Sequence, residues 1–513
     1  MFTSTRNATS TGTRPFMTSA TFLTSFISID PALKSPLHMQ VCDSLRRAIT
    51  EGQLAAGTQL PSSRDLAELI QVSRNTVLNA LDQLIAEGYL ETHDRQGTFV
   101  TSQLPEGFLH SPQGQAARPA EHPEPLRLSA HGQRMAGVKP HQIRQGNAHN
   151  IFTNGIPALD HFPFEMWAKL TARHYRYSPV SLFDETIPAA GYEPLREAVA
   201  EHLRVARSVV CDAEQVIITS GSQQGFYLTA NLLLDPGDQV WMEEPGCMGP
   251  RAAFLSCGAT LIPVPVDAQG TNVEAGIERA PQARLAYINP SHHYPLGVTM
   301  SLSRRYQLLQ WAAEHQSWIM EDDYDSEFRY VGRPLPSVQG QDTHGLVIYI
   351  GTFSKTLFPG LRLGYMVVPK PFARQFAAAR AVIDKYPHII NQMVLADFIA
   401  EGHFYRHLRK MRRLYNQRRM AMIDLLQREL GDFITLGPAD TGMHICGYLP
   451  ENIADHAVAA SAARRGIEVL PLSDFYIGDE KRSGLILGYT AIPEAHMEAG
   501  AALLKQAILE HAK

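Results

Sequence analysis

The chain has 513 residues, 44% of them hydrophobic, which is enough for two to four domains with full-sized cores. Its five cysteines are an odd number without a Cys-x-x-Cys pair, so they indicate neither a disulfide framework nor a metal site, and they fit a reducing cytoplasm. A net charge of -5 excludes a generally basic, nucleic-acid-coating chain, and no stretch approaches the roughly 18 uninterrupted apolar residues of a membrane span.

Residues 1–30 are predicted to be a disordered lead-in. The first 28 residues contain Ser, Thr and two arginines but no acidic residue, a composition faintly similar to a transit peptide. Because arginine is sparse, a disordered segment, or a true start at Met17, explains them better.

Residues 31–100 are predicted to form a winged helix-turn-helix. Apolar residues recur at helical spacing in three short stretches, and two β-prone stretches flank a charged turn that contains glycine. The expected elements are helices over 37–49, 61–70 and 71–88 and strands over 90–92 and 98–100.

In a winged helix-turn-helix the start of the third helix faces the major groove of DNA, and the wing reaches phosphates or the minor groove. The residues expected in the major groove are Ser73, Arg74, Asn75 and Thr76. Those expected at phosphates or the minor groove are Arg64, Arg95 and Gly97. The alternative is a small protein-interaction domain, which the charge favours, because acidic residues outnumber basic ones here.

Residues 101–148 lack periodicity and are rich in Pro, Gln, His and Gly, so they are predicted to be a flexible linker. As a coil it would span roughly 35 to 40 Å, enough to cross to another subunit.

From residue 149 to 513, helical stretches alternate with apolar, β-rich runs. Such alternation predicts a mainly parallel sheet sandwiched by helices, with ligands at the carboxyl ends of the strands. The runs predicted to be strands are 215–219, 239–242, 260–264, 285–288, 317–320 and 346–350.

The run Gly351–Arg362 places Lys355 among small hydroxylic residues, with an arginine seven positions later. Pyridoxal phosphate needs a lysine amine for its aldehyde, and donors with a bidentate cation for its phosphate. An isolated Ser-Lys dipeptide would more often be a surface turn. Here Lys355, Thr352, Ser354 and Arg362 together predict a cofactor site.

Two further strand ends supply the remaining groups for this cofactor. Ser220–Gln224 turns from strand into helix and offers amides and a helix dipole to a phosphate. Glu321–Tyr324 offers a carboxylate for a protonated pyridine nitrogen and a hydroxyl for the ring phenolate. Either segment alone would be a weak indication, but their order along the chain with Lys355 makes coincidence a poor explanation.

The quoted motifs resemble two known families. Residues 33–100 resemble the DNA-binding domain of GntR-type bacterial regulators, and residues 150–513 resemble a fold type I aminotransferase. Their combination resembles the MocR/GabR regulators. The motifs that carry these resemblances are Leu60–Arg64, Val72–Val77, Gln96–Val100, Pro290–Gly297, Glu321–Tyr330 and Tyr349–Tyr365.

The resemblance implies a small C-terminal α+β subdomain and a role for each matched residue. Lys355 is expected to hold pyridoxal 5'-phosphate as a Schiff base, Asp322 to meet the pyridine nitrogen, and Tyr324 to meet the phenolic oxygen. The residues expected at the phosphate are Ser222, Gln223, Thr352, Ser354 and Arg362.

The resemblance also implies the partners: double-stranded operator DNA, and an amino compound or vitamin B6 vitamer as effector. It implies a head-to-tail homodimer in the bacterial cytoplasm, associated with the nucleoid when bound to DNA.

Three positions depart from the aminotransferase pattern. Cys247 stands where an aromatic residue usually stacks on the cofactor ring, and Tyr294 replaces the asparagine of Asn-Pro-x-Gly. Ile486 lies in an apolar stretch where a transaminase places its carboxylate-binding arginine, and Arg482 comes several residues too early. These departures favour a ligand-sensing regulator over the alternative, an aminotransferase with a tethered DNA-binding head. A third hypothesis is a cofactor domain that binds nothing.

Overall fold

The computed structural model describes residues 26–30, 33, 35–94, 96–102, 127–138, 151–183, 188–385 and 388–512. These residues fall in two compact units that divide between Leu126 and Arg127. Arg95, most of the predicted lead-in and much of the predicted linker lie outside the described residues.

The first unit is a winged helix-turn-helix, as predicted. Its core consists of the apolar faces of three helices and the hairpin, and Ile27 packs into it, so the packed unit begins before residue 31. Its elements are α1 (Leu37–Thr50), α2 (Ser63–Leu69), α3 (Arg74–Ala86), β1 (Leu90–His93) and β2 (Gly97–Val100). The strands are antiparallel, with His93 opposite Gly97 at the tip of the wing.

Serine caps fix the start of both helices of the helix-turn-helix. The Ser62 hydroxyl accepts a hydrogen bond from the Asp65 amide, and the Ser73 hydroxyl accepts one from the Thr76 amide. Each cap satisfies an amide that the first helical turn leaves without a partner.

The second unit begins with a helix inside the predicted linker. This helix, α4 (Ala130–Gly137), packs against α8 (Met248–Cys257) of the second unit. Its side chains are mostly exposed, and it has no apolar stripe long enough to show helical periodicity. Part of the segment that composition predicts to be flexible therefore belongs to the large unit.

The large unit is built on an eight-stranded sheet in the order β3-β10-β9-β8-β7-β4-β5-β6. The pairs β4–β5, β4–β7, β7–β8 and β8–β9 are parallel, and β10 runs antiparallel to both of its neighbours. The bounds are β3 (Val216–Thr219), β4 (Gln239–Glu244), β5 (Thr260–Asp267), β6 (Gly270–Thr271), β7 (Leu285–Ile288), β8 (Trp318–Asp323), β9 (Val347–Thr352) and β10 (Gly364–Val367). All six predicted strands are present, and the predicted fold class is confirmed.

Helices cover this sheet and lead into the C-terminal part of the unit. Within the described residues no helix has both the length and the apolarity needed to cross a bilayer. The helices that follow α4 are α5 (Phe164–Tyr177), α6 (Glu193–Arg207), α7 (Ser222–Leu233), α8, α9 (Val273–Arg279), α10 (Leu302–His315), α11 (Ala373–Asp384), α12 (Ile389–Ala400), α13 (His403–Leu430), α14 (Asp455–Arg464) and α15 (Glu494–Leu509).

A small antiparallel sheet forms the expected C-terminal α+β subdomain. Its strand order is β11-β12-β14-β13, and α14 and α15 pack against this part of the chain. The strands are β11 (Thr435–Leu436), β12 (His444–Tyr448), β13 (Leu470–Pro471) and β14 (Gly484–Gly488).

Candidate cofactor site and DNA-contacting surface

The predicted cofactor residues meet at one edge of the large sheet. Strands β3, β8 and β9 run in the same direction, so their carboxyl ends lie at the same edge. Ser220 follows β3, Asp322 lies at the end of β8, and Thr352 ends β9 just before Lys355. The topology explains how segments more than a hundred residues apart along the chain form one site.

Lys355 is half-buried and points toward a backbone carbonyl from the start of the large unit. Its Nζ donates a hydrogen bond to the Gly155 oxygen at 2.9 Å. Gly155 has a φ of +67°, and a Cβ at that position would lie 2.6 Å from Nζ. Because Nζ is the flexible end of the lysine, the positive φ rather than this contact favours glycine at position 155. Sequence spacing does not reveal the contact, because the two residues lie far apart along the chain.

Asp322 is a buried carboxyl group with one oxygen left for a ligand. Oδ2 accepts a hydrogen bond from the Tyr287 hydroxyl at 2.7 Å, whereas buried Oδ1 has no hydrogen-bond partner among the described residues. Burial raises the pKa of Asp322 to about 7. A pyridinium N–H donor would supply both the missing partner and the missing positive charge, so the site fits the ring nitrogen of pyridoxal phosphate.

Tyr324 is held by a histidine that sequence reasoning did not single out. The Tyr324 hydroxyl lies 3.0 Å from His292 Nδ1, and the same nitrogen lies 2.9 Å from an Asp325 carboxylate oxygen. Gly442 packs against the His292 ring so closely that a Cβ there would come 1.8 Å from Cε1. The ring is thereby fixed, and it fixes the direction of the Tyr324 hydroxyl.

A cup for a phosphate forms where β3 turns into α7. Gly221 precedes the helix with a φ of +105°, and the Arg362 guanidinium carbon lies 3.7 Å from where a Gly221 Cβ would be. Ser222 and Gln223 open the helix, so their amides are among those that a helix start leaves unpaired. A helix start beneath an arginine is a donor set suited to a phosphate dianion.

Not every predicted phosphate residue directs its side chain to this cup. The Gln223 side chain donates to the Gly249 carbonyl at 3.0 Å, and the Thr352 hydroxyl accepts from the Ser354 amide at 3.2 Å. Asp384, which was not predicted, accepts from the Ser220 hydroxyl and the Gln224 amide group at 3.0 and 2.9 Å. Gln223 thus has its backbone amide, rather than its side chain, to offer a phosphate.

The structure shows the surroundings of the residues that depart from the aminotransferase pattern. Burial raises the pKa of Cys247 to about 12, so it is a neutral thiol rather than a stacking ring. Tyr294 accepts a hydrogen bond from the Asn154 side chain at 2.7 Å. Ile486 is buried in β14, and the Arg482 guanidinium stacks over the Tyr448 ring, 3.5 Å from its centroid. Ile486 therefore offers no guanidinium for a substrate carboxylate, and the guanidinium of Arg482 is engaged with Tyr448.

The predicted DNA-contacting residues lie on α2, α3 and the wing. Arg64, Arg74 and Asn75 are exposed, and the Arg74 Nε donates to the Ser63 hydroxyl at 3.3 Å. The hydroxyls of Ser73 and Thr76 are hydrogen-bonded to each other at 2.8 Å, beside the helix cap. Gly97 begins β2 with a φ of +114°, which allows the tight turn of the wing.

Comparison with known proteins identifies both units. Residues 37–100 match the family of bacterial regulatory proteins, gntR family, and residues 152–498 match aminotransferase class I and II. The chain is 41% identical over 475 residues to the probable rhizopine catabolism regulatory protein MocR of Rhizobium meliloti, covering 92% of this chain and 94% of that protein. The chain belongs to the MocR family. The resemblance inferred from its motifs is therefore confirmed.

Other relatives of this MocR-family chain are regulators and aminotransferases. It is 29% identical over 468 residues to the pyridoxine biosynthesis transcriptional regulator PdxR of Corynebacterium glutamicum, covering 90% of this chain and 94% of PdxR. The structure of LysN, an α-aminoadipate aminotransferase of Thermus thermophilus complexed with N-(5'-phosphopyridoxyl)-L-leucine, is 29% identical. The superposition covers 70% of this chain and 92% of the LysN chain, with a TM-score of 0.66. The MocR-family chain thus combines a regulator's head with the fold of pyridoxal phosphate enzymes.

Proposed function

We propose that this protein is a transcription regulator that binds operator DNA through its first unit and senses a small molecule through pyridoxal phosphate in its second unit. The observation that carries the proposal is the convergence of Lys355, Asp322 and the Arg362–Gly221 cup at one sheet edge, in a chain with a winged helix-turn-helix. The effector class is an amino compound or a B6 vitamer.

Each residue of the site has a separate task. Asp322 Oδ1 would accept the pyridine N–H, the Tyr324 hydroxyl would serve the phenolic oxygen, and Arg362 with the start of α7 would neutralise the phosphate. Lys355 would hold the cofactor through its aldehyde. Bound pyridoxal phosphate would supply a carbonyl equivalent that exchanges with primary amines and a ring that withdraws electrons.

The alternative function is an aminotransferase with a tethered DNA-binding head. The likeness to aminotransferase structures of 26 to 29% identity favours it. Transamination needs the substrate carboxylate clamped while Lys355 Nζ moves a proton. Buried Ile486 and the stacked Arg482 provide no such clamp, which supports the regulator.

We further propose that the protein acts as a head-to-tail homodimer in the cytoplasm. A MocR-type regulator whose head lies against the partner's large unit would transmit a change in one unit to DNA held by the other. Sedimentation of the purified protein, with and without DNA, tests the dimer.

The cofactor assignment is tested by absorbance and by reduction with borohydride. We expect the purified protein to be yellow, and mass analysis after reduction to place the pyridoxyl group on Lys355. The Lys355→Ala variant should be colourless. Lys370→Ala is the matched control, because Lys370 is exposed and paired with Asp212, and it should stay yellow. A pyridoxyl group on another lysine, or on none, would refute the assignment.

A further inference from the structure

A small polar cavity lies in the large unit beside the His292–Asp325 pair. Its wall contains three arginines, four hydroxyl side chains and no carboxylate. Its volume is about 10 Å³, counted as space for the centre of a water-sized sphere. That is room for one water molecule or one ion of comparable size.

The arginines around this cavity carry more positive charge than nearby carboxylates neutralise. Arg207 is paired with Asp323 at 2.7 Å. Arg305 is fully buried, and its nitrogens donate to the backbone carbonyls of residues 290, 300 and 336. Neither Arg305 nor Arg329 has a carboxylate oxygen within 4.0 Å among the described residues. Burial lowers the pKa of Arg305, and the nearby Glu321 and Asp323 carboxylates oppose that shift only in part. A bound anion in contact with these arginines would therefore stabilise the fold.

Two donors in the cavity wall lack protein partners. In the described part of the chain, Arg329 Nε and Thr441 Oγ1 are buried atoms without a hydrogen bond, and Thr441 is only 3% exposed. The Ser291 hydroxyl accepts a hydrogen bond from Arg207, which leaves its own proton free to donate. These groups offer hydrogen-bond donors and positive charge together, a combination that a neutral water satisfies only in part.

We propose that this cavity binds a monatomic anion of the halide class, with chloride as the physiological ion. The space suits a monatomic ion better than inorganic phosphate or sulfate, whose four oxygens would have to extend toward the open side of the site. The ion would accept hydrogen bonds from Arg329 Nε and Thr441 Oγ1 and offset the charge of buried Arg305.

The site is separate from the phosphate cup but borders the residues behind the cofactor ring. Ser291 precedes His292, Ser326 follows Asp325, and Thr441 precedes Gly442, whose backbone packs on the His292 ring. An anion here would fix three segments that also hold the Tyr324 hydroxyl.

The direct test is a crystal structure of the full chain grown with sodium bromide in place of chloride. We expect an anomalous difference peak within hydrogen-bond distance of Arg329 Nε and Thr441 Oγ1. Density without anomalous signal at that place, which is what an ordered water gives, would overturn the proposal.

The second test measures thermal unfolding in chloride or bromide against methanesulfonate at equal ionic strength. In the wild-type protein, the Tm of the large unit should rise by about 1 to 2 °C as halide is added and then level off when the site is saturated. The gain should disappear in Thr441→Val, which keeps the side-chain shape, and in Arg329→Gln. It should persist in Thr435→Val, an exposed threonine on β11. A rise in Tm with halide that persists in both cavity variants would indicate surface binding and overturn the assignment. If Arg329→Gln does not fold, Thr441→Val and the bromide crystal decide.

Discussion

At the scale of one residue, the buried carboxyl group of Asp322 makes the stability of the cofactor-free protein depend on pH. Its folded pKa, about 7, lies above the ordinary value of 3.8. The folded protein therefore holds this proton more tightly than the unfolded chain. We predict that the stability of the cofactor-free protein falls by about 1 to 3 kcal/mol through this residue as pH rises from about 4 to about 7.

Urea unfolding of wild type and Asp322→Asn at pH 5 and pH 8 measures this contribution. The asparagine does not titrate, so the variant should gain stability relative to wild type between the two values. Comparing the two proteins cancels other buried acids, such as Glu243, whose pKa burial raises to about 8. Parallel pH profiles would show that Asp322 is already charged in the cofactor-free fold. Asp322→Asn should also bind pyridoxal phosphate about 10 to 100-fold more weakly than wild type, because the variant loses a charge-assisted hydrogen bond.

Gly442 is a second residue whose identity the site fixes. It has a φ of +88°, and a Cβ there would lie 1.8 Å from His292 Cε1. We predict that Gly442→Ala lowers the free energy of unfolding by about 3 kcal/mol or more, since the ring is packed on all sides and cannot yield.

The matched control for Gly442→Ala is Gly466→Ala. Gly466 has a φ of +78° but no heavy atom within 4 Å of a Cβ, so only the backbone cost of about 1 to 2 kcal/mol applies. Equal losses in the two variants, measured by urea unfolding, would mean that contact with His292 adds nothing.

At the scale of elements, sequence pattern predicted the strands well where each run is apolar and β-branched. Strand β10 was not predicted, because four residues directly after the Lys355 motif give no periodicity, and its antiparallel place between β3 and β9 depends on distant pairing. The acids of Glu321–Tyr324 were expected to follow the strand. They lie within buried β8 because Arg207, Tyr287 and backbone amides from another segment satisfy them. A single sequence does not show such partners.

The same limit applies to the candidate site. The residues that chemistry requires, Lys355, Asp322 and Arg362, could be predicted because a lysine, a carboxylate and an arginine at strand ends suit one cofactor. Their supports could not, since Gly155 and His292 contact Lys355 and Tyr324 from distant segments that only the fold brings together. Position was thus predictable for groups defined by chemistry, and not for groups defined by shape, while the roles of these groups at the cofactor stay predictions.

The helix-turn-helix yields a prediction about DNA. Arg74 is exposed at the start of α3, so Arg74→Ala should weaken binding to a selected operator fragment by about 1 to 3 kcal/mol and spare random DNA. Arg64→Ala should weaken both alike and reduce the salt slope by about 1. Fluorescence anisotropy at several salt concentrations measures these effects. Equal losses on specific and random DNA for both variants would argue against this assignment of groove contacts, and unchanged colour checks that the large unit is intact.

At the scale of the whole molecule, a unit of the gntR family and a unit with the aminotransferase fold occur in one chain. The head alone would suffice for binding DNA, and an aminotransferase needs no head. Joining them is useful if the state of Lys355 changes the affinity of the heads for DNA. An amine that takes the place of Lys355 at the cofactor would free Lys355 Nζ for its hydrogen bond to the Gly155 carbonyl and so favour a different closure of the large unit.

That linkage must be reciprocal, and reciprocity can be measured. If the effector changes operator affinity by some factor, the operator must change effector affinity by the same factor, typically about 5 to 150-fold. We predict this shift for the amino compound that gives the largest spectral change in a titration of the yellow protein, measured with and without saturating operator DNA. Arg74→Ala serves as control, since it should keep the spectral titration and lose its dependence on operator. An unchanged affinity, together with steady conversion of amino donor to keto product at about 1 per second or faster, would favour the tethered aminotransferase. Because the arginine expected near Ile486 is absent, we expect the shift in affinity and at most a slow half-reaction.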